Sequence, residues 1–246
     1  VVTTQTSKVW LITGASRGIG RAIARRVIAS GDRAALVARG DNVHELAGEL
    51  GPDCLACQAD VRNTDQVAAA IEKTVSHWGR IDVVVNNAGT HRGGKLGRLA
   101  SEDWQQVLDT NLTGALNVAS AASEHLGPGS AIVNIGAVVG FRGFPGDAAY
   151  ASSKAGLAGL TRALAIELAR RDIRVNLVIP GLVLTEMTGE LSEKALEAMR
   201  RTIPLGRYGE PDEIAEVVEW VARSRYMTGA FVPADGGLMS SFGVPG

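Results

Sequence analysis

The sequence of 246 residues has two cysteines, and aromatic residues make up 4% of it. Two thiols cannot staple a chain of this length, so stability has to come from an aliphatic core rather than from disulfides. Neither sign of charge prevails: 25 Lys and Arg stand against 26 Asp and Glu, for a net charge of -1. No dense basic run offers to neutralise a row of phosphates or an anionic membrane, so nucleic acid and membrane surfaces are not expected partners. No apolar run approaches the ~18 residues of a membrane span, and no charged region with a cleavage site precedes the first motif, so a cytoplasmic protein is expected. What is present, 46% hydrophobic and 21% charged residues, suits one globular domain over residues 1–246.

The cysteines, Cys54 and Cys57, form a C-x-x-C. They sit in Cys54-Leu55-Ala56-Cys57-Gln58-Ala59, which reads as a strand. Residues three apart on a strand point to opposite faces, whereas a redox pair needs the start of a helix. His44, His77, His91 and His125 are too scattered for a set of ligands, so no metal is expected.

Short runs rich in Val and Ile at 9–13, 34–38, 55–59, 81–86, 131–135, 175–179 and 230–232 alternate with amphipathic stretches at 19–30, 67–77, 151–169 and 213–222. Strand, helix, strand repeated in this way predicts an α/β fold: a three-layer, doubly wound parallel sheet, Rossmann-like, with helices on both faces. Many of the 30 glycines fall just after the predicted strands, where such a sheet builds its binding crevice. The loops 90–99, 136–148 and 181–192 all follow strands and are expected to border one site.

Directly after the first strand comes Thr13-Gly14-Ala15-Ser16-Arg17-Gly18-Ile19-Gly20, and a helix follows at once. Glycines permit a tight turn and close backbone approach, while the helix start offers unpaired N–H groups and a positive dipole end to a pyrophosphate. A dinucleotide is the expected ligand.

The G-x-x-x-G-x-G spacing resembles that of the classical short-chain dehydrogenase/reductase family, and the resemblance extends over nearly the whole chain. Asn86-Asn87-Ala88-Gly89, Asn111, Tyr150-Ala151-Ser152-Ser153-Lys154, and Arg174-Val175-Asn176 leading to Pro180-Gly181 follow in the family's order. The resemblance implies about seven parallel strands and a nicotinamide cofactor held by Gly14, Ser16, Arg17, Gly18, Ile19 and Gly20. It also puts Asp60 and Val61 beside the adenine, Asn87, Ala88 and Gly89 beside the riboses, and Pro180, Gly181, Val183 and Thr185 at the nicotinamide end. It implies a homotetramer built through helices around 104–123 and 151–169.

The end of the second strand bears on which nicotinamide cofactor binds. An acid there would bond the adenine ribose 2′-hydroxyl and repel a 2′-phosphate. Ala38 does neither, and Arg39 with Arg17 could converge on a phosphate, so NADP(H) is expected.

Tyr150 and Lys154 are four apart at the start of a predicted helix and share a face. An ammonium near a phenol favours the phenolate, so Lys154 is expected to tune Tyr150, which exchanges a proton with a carbonyl or alcohol oxygen. By resemblance, Lys154 also holds the nicotinamide ribose and Asn111 fixes a water leading to Lys154. One departure is plain: where the family has a Ser that bonds the substrate carbonyl, this chain has Ala137, and no other Ser or Thr lies between Ser130 and Tyr150. An engineered Ser→Ala change, a natural relative using other groups, and a cofactor-binding module without turnover all account for it. With every other motif intact the first is favoured, and a slowed enzyme is expected.

The loop motifs most resemble those of bacterial 3-oxoacyl-acyl-carrier-protein reductases. An acidic carrier would need a basic patch, yet the segment before the fifth strand is Glu124-His125-Leu126-Gly127-Pro128-Gly129-Ser130, with only Arg170 and Arg171 nearby. A free ketone or alcohol is the favoured substrate and the carrier-bound acyl group the alternative. His91, Phe141, Phe144, Leu182, Met187 and Leu191 fall in the three loops and are candidates for a mostly apolar pocket.

Overall fold

Val9, Trp10, Leu11 and Ile12 are each at most 1% exposed, as expected of a strand covered on both faces rather than one with a wet side. This strand, β1 (Val9–Thr13), lies inside a seven-stranded sheet of order β3-β2-β1-β4-β5-β6-β7, in which every neighbouring pair is parallel. The other strands are β2 (Arg33–Ala38), β3 (Cys54–Gln58), β4 (Ile81–Asn86), β5 (Leu126–Ile135), β6 (Arg174–Pro180) and β7 (Phe231–Ala234). The structure, a computed structural model, describes residues 7–184 and 193–241.

Side chains alternate across the sheet, so consecutive residues feed different cores. Trp10, Ile12 and Leu36 pack with α1 (Gly18–Ala29), α2 (Asn42–Leu50) and α9 (Pro211–Arg223) on one face. Leu11, Ala35 and Val37 pack with α3 (Thr64–Trp78), α5 (Gly114–Ala122) and α7 (Ala148–Leu168) on the other. Cys54 joins the first core and Cys57 the second. Burial raises both thiols, Cys54 to about 11, so neither is a thiolate at neutral pH.

The strands lie within a few residues of their expected positions, but β5 begins at Leu126 rather than 131. Gly127, Pro128 and Gly129 hide its first half, and the ladder to β4 shifts register between Ile81 and Val83. The nine-residue α2 was not expected, because only Val43 and Leu46 of it are buried. The helix expected around 104–123 is α4 (Ser101–Leu108), a π-helical turn Asp109–Thr113, and α5 in unbroken succession. Two shorter helices, α6 (Val139–Arg142) and α8 (Glu193–Arg200), follow β5 and β6. No helix among the described residues is long and apolar enough to cross a membrane.

Strand order reverses between β1 and β4. At that point the connections leave to opposite sides and open a crevice at the carboxyl ends of the strands.

Candidate active site

The turn between β1 and α1 is built for backbone approach. Gly14 has φ +64, and a Cβ there would lie 2.8 Å from the Cα of Ala88; a Cβ on Gly20 would strike the Gly14 carbonyl. The helix start is open: Arg17 at the N-cap is extended and makes no side-chain cap, and the first turn of α1 carries no acid. Its leading N–H groups therefore face the crevice with the positive end of the dipole. By contrast α9 is closed by Glu210 and Glu213 in a capping box.

Asn87 locks this turn to β4. Its Nδ2 donates to the carbonyls of Thr13 (2.9 Å) and Gly14 (3.1 Å), while the Thr13 hydroxyl accepts from the backbone N–H of both Asn87 and Ala88 at 3.0 Å. The Ala15 N–H donates to the Val37 carbonyl at the end of β2, so Arg17 and Arg39 each lie two residues beyond joined positions. Both are exposed, and neither guanidinium has an ion-pair partner among the described residues.

Across the crevice, α7 carries Tyr150 and Lys154. Lys154 is 4% exposed, and its Nζ donates to the Ile135 carbonyl at 2.8 Å and lies 5.7 Å from the centre of the Tyr150 ring. Burial lowers Lys154 to about 8. Tyr150 is pushed up to about 12, first by burial and then by the negative charge of Asp147. The phenolate expected from the neighbouring ammonium is thus not favoured in the free protein, because burial and the Asp147 charge both oppose it.

Asn111 projects from the π-helical turn. Its Nδ2 donates to the Thr90 carbonyl and to Ser153 Oγ, both at 3.0 Å, and its Oδ1 accepts from the Thr90 N–H at 2.8 Å. A π turn inside an α-helix rotates one side chain out of register, a device common at functional sites. A Cβ on Gly89 would meet Asn111 Oδ1 at 3.5 Å and Lys154 Nζ at 3.7 Å, so both groups converge on Gly89.

The loops 90–99 and 136–148 meet, and the second of them also touches the end of β6. The Gly94 N–H donates to the Gly146 carbonyl at 2.8 Å, and the Val138 N–H to the Pro180 carbonyl at 3.1 Å. His91 Nε2 bonds Asp147 Oδ1 at 2.9 Å, and its ring stands nearly perpendicular to that of Tyr150, with centres 5.2 Å apart.

A family model described as enoyl-(acyl carrier protein) reductase matches residues 14–239. The human protein named 3-oxoacyl-[acyl-carrier-protein] reductase is 43% identical over 234 residues, covering 94% of this chain and 98% of its own. A Serratia marcescens short-chain dehydrogenase/reductase, solved as a doubly substituted mutant, superposes with a TM-score of 0.89 at 36% identity, covering 94% of this chain and 97% of that one. The chain belongs to the short-chain dehydrogenase/reductase family. A blue fluorescent protein from a metagenomic library, solved in complex with NADPH, gives a TM-score of 0.90 at 35% identity over 96% of this chain and 99% of that one.

The structure gives the other expected site residues these surroundings. The Asp60 carboxylate is engaged by Arg62 at 2.6 Å, and Arg62 holds it below the usual carboxylate range. Val61 is 5% exposed and packs in the core, its carbonyl taken by Asn117 at 3.0 Å. Val183 is buried too and bridges Gly209. Phe141 turns to the Phe231 ring of β7, Phe144 is 55% exposed, and Leu182 packs beside Ile203, Tyr208 and Leu238. Of the expected pocket lining, His91 stands against Tyr150, and Met187 and Leu191 lie outside the described residues, as does Thr185 of the expected nicotinamide end. A cavity of about 380 Å³ opens instead between the first turns of α1 and α9, bordered by Gly18, Arg21, Arg25, Leu184 and Asp212.

Asp147 and Ser153 escaped the sequence reading. The signal for Asp147 was an acid at the cap of a helix whose third residue is Tyr150.

Lys154 carries a thermodynamic signature. Its folded pKa is lowered, so between about 8 and about 10.5 the unfolded chain binds more protons than the folded one. Stability relative to a Lys154→Met variant is therefore expected to rise with pH across that window. Denaturation midpoints of both forms at pH 7 and pH 10 check this; a difference that stays constant refutes it.

Proposed function

We propose that the chain is an NADPH-dependent reductase that converts a ketone reversibly to a secondary alcohol. The observation that carries this reading is a protonated phenol, Tyr150, beside a buried lysine, Lys154, at the mouth of a crevice whose other wall is a glycine cradle and an open helix start. The cradle excludes side chains where a pyrophosphate would lie, and bound NADPH would supply hydride. Tyr150, its proton held up to about 12, gives that proton to the carbonyl oxygen as negative charge develops there. Lys154, charged below about 8, faces Gly89 from the other side and binds the ribose. Asn111 fixes Thr90 and Ser153, and the Ser153 hydroxyl donates to the Tyr150 carbonyl at 2.8 Å, which holds the start of α7 in place.

Preference for the 2′-phosphorylated cofactor rests on Arg17 and Arg39, on the absence of a carboxylate at Ala38, and on the NADPH bound by the similar metagenomic protein. Position 137 offers a methyl where a hydroxyl would bond the substrate, and on that ground turnover is slowed. A 3-oxoacyl group on a carrier protein is the second reading, favoured by the name of the human relative. Against it, Arg171 is spent on the Ser123 and Leu126 carbonyls at 2.7 and 3.0 Å, leaving Arg170 as the remaining cation of that candidate patch. A cofactor-binding module without turnover is the non-enzymatic rival.

We place the protein in the cytoplasm as a homotetramer. Support for assembly comes from Trp104, Leu116 and Ile166, which leave apolar surface exposed on α4, α5 and α7.

The test is a spectrophotometric screen of NADPH oxidation against free ketones and 3-oxoacyl thioesters, with the Ala137→Ser form run in parallel. Consumption of NADPH with a ketone supports the reading, preference for the thioester selects the second, and NADPH binding without turnover by either form selects the non-enzymatic one.

A further inference from the structure

His91 and Asp147 come from different loops, and each gives up an ordinary role to meet the other. Asp147 occupies the N-cap of α7 yet makes no cap hydrogen bond with its side chain; its carboxylate bonds His91 Nε2 at 2.9 Å instead. Because a carboxylate only accepts, Nε2 must carry the hydrogen. The other ring nitrogen, Nδ1, has no hydrogen-bond partner among the described residues. The imidazole is partly exposed and stands against the Tyr150 ring.

Other side-chain donors on this side, among the described residues, already have partners. Lys154 Nζ places one of its three hydrogens on the Ile135 carbonyl, Asn111 Nδ2 is on Thr90 and Ser153, and the Ser153 hydroxyl is on the Tyr150 carbonyl. Residues 137–139 are Ala, Val and Val. His91 Nδ1, without a partner among the described residues, is free to serve a carbonyl oxygen bonded to the Tyr150 hydroxyl.

We propose that His91, held by Asp147, is a further catalytic residue: as imidazolium it presents Nδ1–H to the carbonyl oxygen that Tyr150 protonates, in place of the hydroxyl missing at position 137. The proposal rests on the reductase reading. No proton leaves His91; the one delivered to the oxygen comes from Tyr150, and the imidazolium stabilises the charge that develops before it arrives. Only the charged ring serves, since with hydrogen fixed on Nε2 the neutral ring has an acceptor at Nδ1. The charged form is favoured by the Asp147 carboxylate, which raises the His91 pKa, while burial and Arg92 oppose this. Arg92 is itself drawn towards Asp103 of α4 at 3.7 Å. Tyr150 and, beyond it, Lys154 are the other titratable groups on this side. On this arrangement Ala137 slows turnover rather than abolishing it.

The experiment is a double-mutant cycle of His91→Gln and Ala137→Ser, read as kcat for ketone reduction and as NADPH affinity. With Ala137, His91→Gln should lower kcat by ~10²-fold and leave NADPH binding unchanged. In the Ala137→Ser background the same change should cost only about fivefold, because the hydroxyl now donates. Equal losses in both backgrounds, or no loss with Ala137, overturn the proposal. NMR titration of the His91 ring gives an independent readout. In the unmutated chain kcat should fall as pH rises through the measured His91 pKa, and in Asp147→Asn the pKa and the fall should move to lower pH together. A fall that stays in place belongs to Lys154 and also overturns the proposal. If Ala137→Ser turns over while His91→Gln costs nothing, this inference fails and the reductase reading stands. If no form of the cycle consumes NADPH with any carbonyl compound, the reductase reading fails and this one with it.

Discussion

Tyr150→Phe is expected to lower kcat for ketone reduction by ~10²–10⁴-fold, the usual worth of a positioned proton donor, while NADPH binds as before. The ring that stands against His91 and Lys154 survives the change, so packing is preserved and only the hydroxyl is lost. The same geometry predicts direction. A phenol held up to about 12 keeps its proton throughout the neutral range, which suits the reductive direction. Alcohol oxidation needs the phenolate and should accelerate as pH rises. Rates in both directions between pH 6 and pH 10, with the Phe variant as control, check both statements. An unchanged rate in Tyr150→Phe would remove Tyr150 from the chemistry.

Replacing Arg17 and Arg39 together by Ala should raise the NADPH dissociation constant by ~10²–10⁴-fold and leave that of NADH nearly unchanged. Each charge-assisted hydrogen bond to the 2′-phosphate contributes about 1.5–3 kcal/mol, and every ~1.4 kcal/mol is tenfold. The two guanidiniums are exposed and unpaired among the described residues, so their removal breaks no internal ion pair and should not disturb folding. Fluorescence titration with both cofactors gives the answer. Equal weakening of the two, or tighter NADH binding by the unmutated chain, would remove the 2′-phosphate from the argument.

The sheet was legible in the sequence because a parallel strand buried on both faces must be apolar along its whole length. Residues 9–13 and 81–86 were therefore marked to the residue. The glycine turn was equally legible, since a side chain at Gly14 would strike Ala88 and one at Gly20 the Gly14 carbonyl. Tyr150 and Lys154 were marked by helical spacing and by resemblance, and the first half of β5 was masked by Gly127-Pro128-Gly129.

Local period, backbone freedom and the identity of single side chains are enough to specify the layered α/β fold, the glycine turn and the methyl at Ala137. How these groups are used depends on contacts made across the folded molecule. Asn87 ties the glycine turn rather than standing free, Asn111 clamps Thr90, Phe141 turns to Phe231, and Asp147 reaches His91, all of them contacts between segments 21 to 90 residues apart. No periodicity encodes such pairings. The protonation of Tyr150 and Lys154 is of the same kind, since it depends on how much water the folded crevice leaves around them.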